Sequence, residues 1–127
     1  MADRQAINTE AAPAAIGPYS QAIKTGNLVY ISGQIPLDPT TMELAGDEIE
    51  EQTHQVFLNL QAVATAAGAD LNNAVKLTIY LTDLRQFSAI NQIMASYLKE
   101  PYPARATIEV SGLPKGAQVE IDAVLAV

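Results

Sequence analysis

The sequence has 127 residues, 49% of them hydrophobic, and its fourteen acidic and seven basic residues give a formal net charge of −7. This length suits one domain over residues 1–127, and the acidic balance weighs against the Lys/Arg patches of nucleic-acid-binding proteins. The absence of cysteine excludes disulfides and thiol chemistry. No apolar run has membrane-spanning length, and residues 1–10 lack the apolar core of a secretion signal. We therefore expect a cytoplasmic protein without a membrane partner.

The first part of the chain predicts an extended segment followed by two strands. Residues 1–15 are polar or small, which is typical of a segment that lies over the surface. A strand is predicted over residues 20–25, and the Gly26-Asn27 pair predicts a hairpin turn. The continuous apolar run Leu28–Ile31 then indicates a strand that is covered on both faces.

The middle of the chain predicts two helices with a strand between them. A capping box at Asp47 and Glu50 starts a helix, which Gly68 ends after apolar residues at helical spacing. Alternating apolar residues predict a strand over 73–81, with Val75 on its apolar face. Asp83 opens a second helix, whose apolar stripe consists of Phe87, Ile90, Met94 and Leu98.

The stretch Pro101–Leu125 predicts a hairpin that carries a small site for an anionic ligand. Alternation over residues 105–110 and 119–125 indicates two strands, and the loop between them contains glycine and proline. Arg105 follows two prolines that stiffen its approach, and carboxylates lie on the return strand. An arginine fork matches a carboxylate in two hydrogen bonds. The alternative is a surface Arg–Glu ion pair, which contributes little to stability.

The element order β-β-α-β-α-β-β predicts an α+β protein in which one mixed sheet packs on two helices. Two helices can cover only one face of the sheet. Apolar side chains from the Leu28–Ile31 run and from the C-terminal strands remain on the other face. Because large exposed apolar patches mark interfaces, we expect the chain to form a closed oligomer.

Three separated motifs resemble the signature of the reactive-intermediate deaminase family (RidA or YjgF-type, also called the L-PSP endoribonuclease family). They are Gly17–Ala22, Ile31–Gln34, and the PAR, EV, LP, GA and VEI pieces within Pro103–Ile121. The resemblance runs from about Ala15 onward. It implies a chorismate-mutase-like fold and homotrimers with sites between subunits. It also implies hydrolysis of 2-iminopropanoate and 2-iminobutanoate to 2-keto acids and ammonia, with no metal or organic cofactor.

The resemblance also implies roles for particular residues. Arg105 holds the substrate carboxylate, and Glu120 positions or activates the attacking water. The implied substrate-binding residues are Tyr19, Ser32, Gly33, Phe87, Asn91 and Thr107. Without the family resemblance, Asn91 is better explained as a helix-edge amide that bonds to backbone or water, and Tyr19 and Ser32 are ordinary turn residues.

Two positions depart from the family's pattern. Thr107 stands where many members have cysteine, and Ala106 replaces a common serine. A thiol role at the site is therefore excluded, while carboxylate binding by Arg105 is unaffected. His54, the only histidine, cannot form a zinc site alone and is expected on an exposed helix face.

The sequence leaves three alternatives to the deaminase open. A non-catalytic trimer could use the same pocket to sense keto or amino acids. RNA cleavage or translation inhibition is recorded in one of the family's names, but the net charge of −7 makes a nucleic-acid partner a poor match. A chaperone-like holdase would use exposed surface rather than a cleft.

Overall fold

The computed structural model describes residues 3–127. Within them, six strands form one mixed sheet in the order β1-β2-β3-β6-β4-β5. The strands are β1 (Gln5–Ile7), β2 (Ala22–Thr25), β3 (Leu28–Gln34), β4 (Ala74–Leu81), β5 (Ala104–Glu109) and β6 (Val119–Ala126). Only β4 and β5 are parallel neighbours. With the helices α1 (Ile49–Ala66) and α2 (Phe87–Tyr97), this confirms the predicted α+β class.

The core lies between one face of the sheet and the two helices. Strand β6 alternates along its whole length between buried and half-buried residues, as the sequence predicts. The buried side chains at its centre are Val119, Ile121, Ala123 and Leu125. Helix α1 covers them with fully buried residues, which are Val56, Phe57, Leu60 and Val63. Each such side chain contributes about 1.5–3 kcal/mol by leaving water.

The turns and helix ends follow the local sequence with small shifts. Gly26 (φ +57°) makes the turn between β2 and β3, and Gly68 (φ +77°) ends the turn after α1, as predicted. Helix α1 begins at Ile49, and the Glu51 carboxylate accepts a hydrogen bond from the Glu48 N–H at 3.3 Å. The capping box therefore lies one residue later than predicted, because that register buries Ile49 against the core.

In strand β4, the alternation of buried and exposed side chains is interrupted near its start. Leu77, Ile79 and Leu81 are buried as predicted, but Val75 is 47% exposed. The pairing between β4 and β6 shifts between Ala74 and Lys76. A one-residue irregularity turns every preceding side chain to the other face, so the prediction for Val75 is wrong.

The predicted hairpin of the two C-terminal strands is also wrong. Strand β4 lies between β5 and β6, so these two strands share no hydrogen bonds. Leu77 pairs with Arg105 on the parallel side, and Tyr80 pairs with Glu120 on the antiparallel side. Alternation identifies a strand but not its neighbour, and the loop between β5 and β6 is long enough to cross one strand.

The N-terminal segment is bound more firmly to the sheet than predicted. Residues 1 and 2 of the predicted surface segment 1–15 lie outside the described residues. Gln5–Ile7 forms an edge strand against β2. The side chain of Gln21 is almost fully buried and hydrogen bonds to the backbone of Thr9, Ala12 and Pro13.

The face of the sheet away from the helices is mixed in character. Tyr30 and Ile108 are 48% and 44% exposed there, as the apolar patterns predict. Tyr80, Glu120 and Asp122 lie on the same face, and the Tyr80 hydroxyl donates to an Asp122 carboxylate oxygen at 3.1 Å. In the described part of the chain, no helix is long and apolar enough to cross a membrane.

Candidate active site

Arg105 lies at the start of the edge strand β5 and is held by helix α2. It pairs with the buried Leu77, so its side chain is on the helix-facing side of the sheet. Its Nη1 donates to Asn91 Oδ1 at 2.5 Å, and its Cζ lies 4.9 Å from the centre of the Phe87 ring. The structure thus brings together three of the predicted site residues.

Met94 belongs to this cluster although the sequence predicted it only as a core residue. Its sulfur lies 3.8 Å from Arg105 Nη1 and accepts a hydrogen bond. Phe87, Asn91 and Met94 follow one another at spacings of four and three residues, which places them on one side of a helix. From the sequence, this spacing was the one indication that Met94 lies beside Phe87 and Asn91. An open cavity of about 480 Å³ adjoins the cluster and is lined by Asn91, Met94, Ala95, Tyr102, Pro103 and Arg105.

Thr107 lies two residues beyond Arg105 and on the same side of β5. Its hydroxyl oxygen is buried and, within residues 3–127, has no hydrogen-bond partner. A buried polar group without a partner costs about 1–3 kcal/mol and needs a physical explanation. A ligand or a neighbouring chain at this sheet edge would supply one. We call Phe87, Asn91, Met94, Arg105 and Thr107 the arginine half-site.

Glu120 lies on the opposite face of the sheet, against the irregular end of β3. The pairing of β3 with β6 shifts between Ile31 and Gln34, which is a β-bulge that contains Gly33. A Cβ at position 33 would lie 2.9 Å from the carboxyl carbon of Glu120. The backbone therefore approaches this carboxylate as only a glycine allows. Burial, and secondarily the charge of Asp122, raises the pKa of the Glu120 carboxyl.

A cavity of about 360 Å³ opens beside Glu120. Tyr19, Gly33, Lys115 and Glu120 are among its lining residues, and we call these four the glutamate half-site. Ser32 is not in the lining: its hydroxyl donates to the Ser20 carbonyl oxygen at 2.5 Å and so fastens the bulge. Two of the predicted pocket residues, Tyr19 and Gly33, thus share a cavity with Glu120.

Lys115 is a cation of this cavity and lies in the loop between β5 and β6. Its Nζ donates to the Met42 carbonyl oxygen at 2.9 Å, which ties two loops together. Lys115 and Met42 both have positive φ, at +59° and +60°. Such backbone is uncommon for residues other than glycine and is kept only where the surroundings enforce it.

The two half-sites do not meet within one chain. Arg105 is on the helix-facing side of the sheet and Glu120 is on the other side. Strand β4 also separates them by roughly 10 Å, since adjacent strands lie about 4.8 Å apart. His54 is exposed as predicted, with Nδ1 3.0 Å from the Tyr97 hydroxyl and far in sequence from both half-sites.

Comparison with known proteins decides the family. The sequence profile described as Endoribonuclease L-PSP matches residues 9–127. The chain belongs to this family. The resemblance predicted from the three sequence motifs is therefore confirmed, and the family match covers nearly all of the described residues.

Relatives and solved structures agree with the family assignment. The chain is 54% identical to the RutC family protein y4sK of Sinorhizobium fredii, over 94% of each chain. It is 45% identical to the 2-iminobutanoate/2-iminopropanoate deaminase of Mus musculus, over 95% of this chain and 90% of the mouse protein. The crystal structure of RidA from an Antarctic Psychrobacter species has a TM-score of 0.95 at 52% identity, over 98% of this chain and 100% of that one. The family's fold therefore extends through the whole sheet described above.

Proposed function

We propose that this protein hydrolyses small 2-imino acids, such as 2-iminopropanoate and 2-iminobutanoate, to 2-keto acids and ammonia. The observation that carries the proposal is the similarity to the mouse protein named for this reaction, which extends over 95% of the chain. The arginine half-site supports it, because a guanidinium in an open cavity suits the carboxylate that all these substrates share.

We propose further that the active site forms between subunits of a homotrimer. The family resemblance implies the trimer, and the placement of Arg105 and Glu120 on opposite faces supports a shared site. Strand β5 is an edge strand, and its outward Ile108 is 44% exposed. Exposed edges and apolar side chains favour contact with another chain. A second chain there would also offer the Thr107 hydroxyl a partner.

The proposed reaction needs three functions from the protein. Arg105 holds the substrate carboxylate and thereby fixes the imine carbon next to the glutamate half-site. Glu120 accepts a proton from water as the water oxygen bonds to that carbon. It then returns the proton to the nitrogen, which gives a carbinolamine with one hydroxyl and one amino group on the same carbon. Glu120 next takes the hydroxyl proton as the C=O double bond forms and passes it to the nitrogen as the C–N bond breaks, which leaves the keto acid and ammonia. A half-buried carboxylate with a raised pKa binds a proton more readily than an exposed one, which suits this exchange.

The alternatives make different predictions for the same protein. A sensor would bind a keto acid in the same cavities without accelerating hydrolysis. RNA cleavage is suggested by the family's description, but a chain with a net charge of −7 attracts phosphate weakly. A holdase would act without Arg105. The cytoplasmic location stays a prediction from the sequence.

The deciding experiment measures pyruvate release from freshly generated 2-iminopropanoate. The imine is produced in place from L-serine by a pyridoxal-phosphate dehydratase, and the spontaneous hydrolysis rate is subtracted. We expect the protein to accelerate release, and the Arg105→Ala protein to lose most of that acceleration. Release at the spontaneous rate, in a sample that still binds pyruvate, would instead establish the sensor.

A further inference from the structure

The guanidinium of Arg105 is held on several sides by helix α2. The Phe87 ring covers one of its faces, with 4.9 Å between the ring centre and Cζ. Asn91 and Met94 approach it at Nη1. Met94 is also packed in the core and is only 6% exposed, so it is a fixed contact. An arginine that is otherwise exposed at a sheet edge is thus given one orientation.

The hydrogen-bond donors of Arg105 divide into two groups. A guanidinium has five N–H donors, two of them on Nη1. The two acceptors at Nη1 are Asn91 Oδ1 at 2.5 Å and Met94 Sδ at 3.8 Å. Within residues 3–127, Nη2 and Nε have no hydrogen-bond partner. The N–H groups of Nε and Nη2 point in parallel along one edge, which is the geometry that a carboxylate accepts in two hydrogen bonds.

We infer that Asn91 and Met94 are positioning residues, which hold Arg105 by Nη1 and leave its Nε–Nη2 edge for the substrate carboxylate. This inference rests on the proposed function, and it changes the role of Asn91 from the substrate contact that the sequence predicted. Both acceptors are uncharged. They fix the direction of the guanidinium without cancelling its charge, which stays available to attract an anion.

The position of Arg105 can be tested without any ligand. The chain has three arginines, Arg4, Arg85 and Arg105, so their Nε signals can be assigned by NMR. We expect the ¹⁵N relaxation of Arg105 Nε to show an ordered side chain, and Asn91→Ala to lower that order to the level of the exposed Arg4. The inference is wrong if Arg105 is already as mobile as Arg4, or if Asn91→Ala leaves its order unchanged.

The charge argument is tested by pyruvate binding. Asn91→Ala should weaken binding about tenfold, as expected for a lost hydrogen bond to a charged group. Asn91→Asp should weaken it further, because a carboxylate keeps the orientation but neutralises the guanidinium. The matched control is Gln92→Glu, which adds the same charge at the next, exposed residue and should bind like the parent. A purely structural amide would instead give a lower melting temperature and equal affinities for both Asn91 variants.

Kinetics separate this inference from the proposed function. If imines are hydrolysed, both Asn91 variants should raise KM while kcat changes much less, because Glu120 is untouched. If the parent binds pyruvate with the expected order of variants but hydrolyses nothing, the positioning role holds and the deaminase proposal fails. If hydrolysis occurs and the Asn91 variants match the parent, only the positioning role fails. If the parent binds no pyruvate, the relaxation measurement decides.

Discussion

Gly33 lies so close to the Glu120 carboxylate that a Cβ on Gly33 would be 2.9 Å from the carboxyl carbon. The contact is made by the bulge in β3, where the register with β6 shifts. Gly33 has a specific spatial reason to be glycine, since any side chain would push the carboxylate away. The backbone of β3 therefore limits where the Glu120 side chain of the neighbouring strand β6 can lie.

We expect Gly33→Ala to lower kcat by roughly 10–100-fold, because small displacements of a reacting group are costly in catalysis. Steady-state hydrolysis of 2-iminopropanoate measures the effect. Gly112→Ala is the matched control, since nothing lies within 4 Å of a Cβ at that position. In a Glu120→Gln background, Gly33→Ala should cost little more. Fully additive losses would show that Gly33 does not act through Glu120.

Glu120→Gln should preserve pyruvate binding while kcat falls about 100-fold or more, as is typical for a lost acid–base group. The pH profile gives a second check on Glu120. The negative charge of Asp122 helps to raise the pKa of Glu120, so Asp122→Asn should lower that pKa. Since the reaction needs ionised Glu120, the acid limb of kcat should then move to lower pH. If the acid limb of the kcat profile does not move in Asp122→Asn, ionisation of Glu120 is not the cause of that limb.

Arg105→Ala should lower kcat/KM by between about 30-fold and several thousand-fold, because the substrate carboxylate would lose its cation. Arg105→Lys should also be impaired, since an ammonium keeps the charge but lacks the fork. The control is Arg85→Ala, which removes an exposed arginine that is paired with Asp83 at 2.9 Å. Sedimentation should show three chains for every variant. Dissociation or unfolding of Arg105→Ala would indicate a structural role for Arg105 instead.

Mixed trimers test whether one chain supplies Arg105 and another supplies Glu120. Arg105→Ala and Glu120→Gln chains are each expected to be nearly inactive. Every trimer that contains both kinds of chain would then have one intact site if the site is shared between neighbours. Random assembly of equal amounts should restore about a quarter of the parent activity. Coexpressed chains that stay inactive, although mass spectrometry shows mixed trimers, would place both residues of a site in the same chain.

Gln21→Ala should destabilise the protein by about 2–3 kcal/mol, measured by urea denaturation. The Gln21 amide makes four hydrogen bonds with the backbone of the N-terminal segment, and its removal leaves buried groups without partners. Gln92→Ala is the control on an exposed helix position. Equal stabilities would show that the segment between β1 and β2 does not need this anchor.

The sequence predicts features that depend on neighbouring residues along the chain. The alternation of β6, the turn at Gly26 and the stop at Gly68 are of this kind, and all three are confirmed. Strand order is a property of the whole sheet, so the sequence did not show that β4 lies between β5 and β6. Single-residue bulges are equally hidden, and one of them exposes Val75 while another brings Gly33 to Glu120.

The candidate site, too, combines features that the sequence predicts with features that depend on the whole sheet. The motifs point to Arg105 and Glu120, but they cannot show that the two side chains lie on opposite faces, because that depends on which residues of β4 they pair with. Met94 was hidden for another reason. A methionine in an apolar helical stripe is explained by the core alone, and only the position of Arg105 reveals its second contact.

The central place of β6 has a consequence for synthesis on the ribosome. The strands β1–β3 form one sheet fragment, β4 and β5 form another, and β6 alone joins them. Both fragments precede β6 in the chain, so a nascent chain carries two unpaired inner strand edges until residues 119–126 emerge. Open edges are sites of misassociation for incomplete chains. We therefore expect a ribosome-bound chain that is stalled before β6 to be protease-sensitive and to bind chaperones.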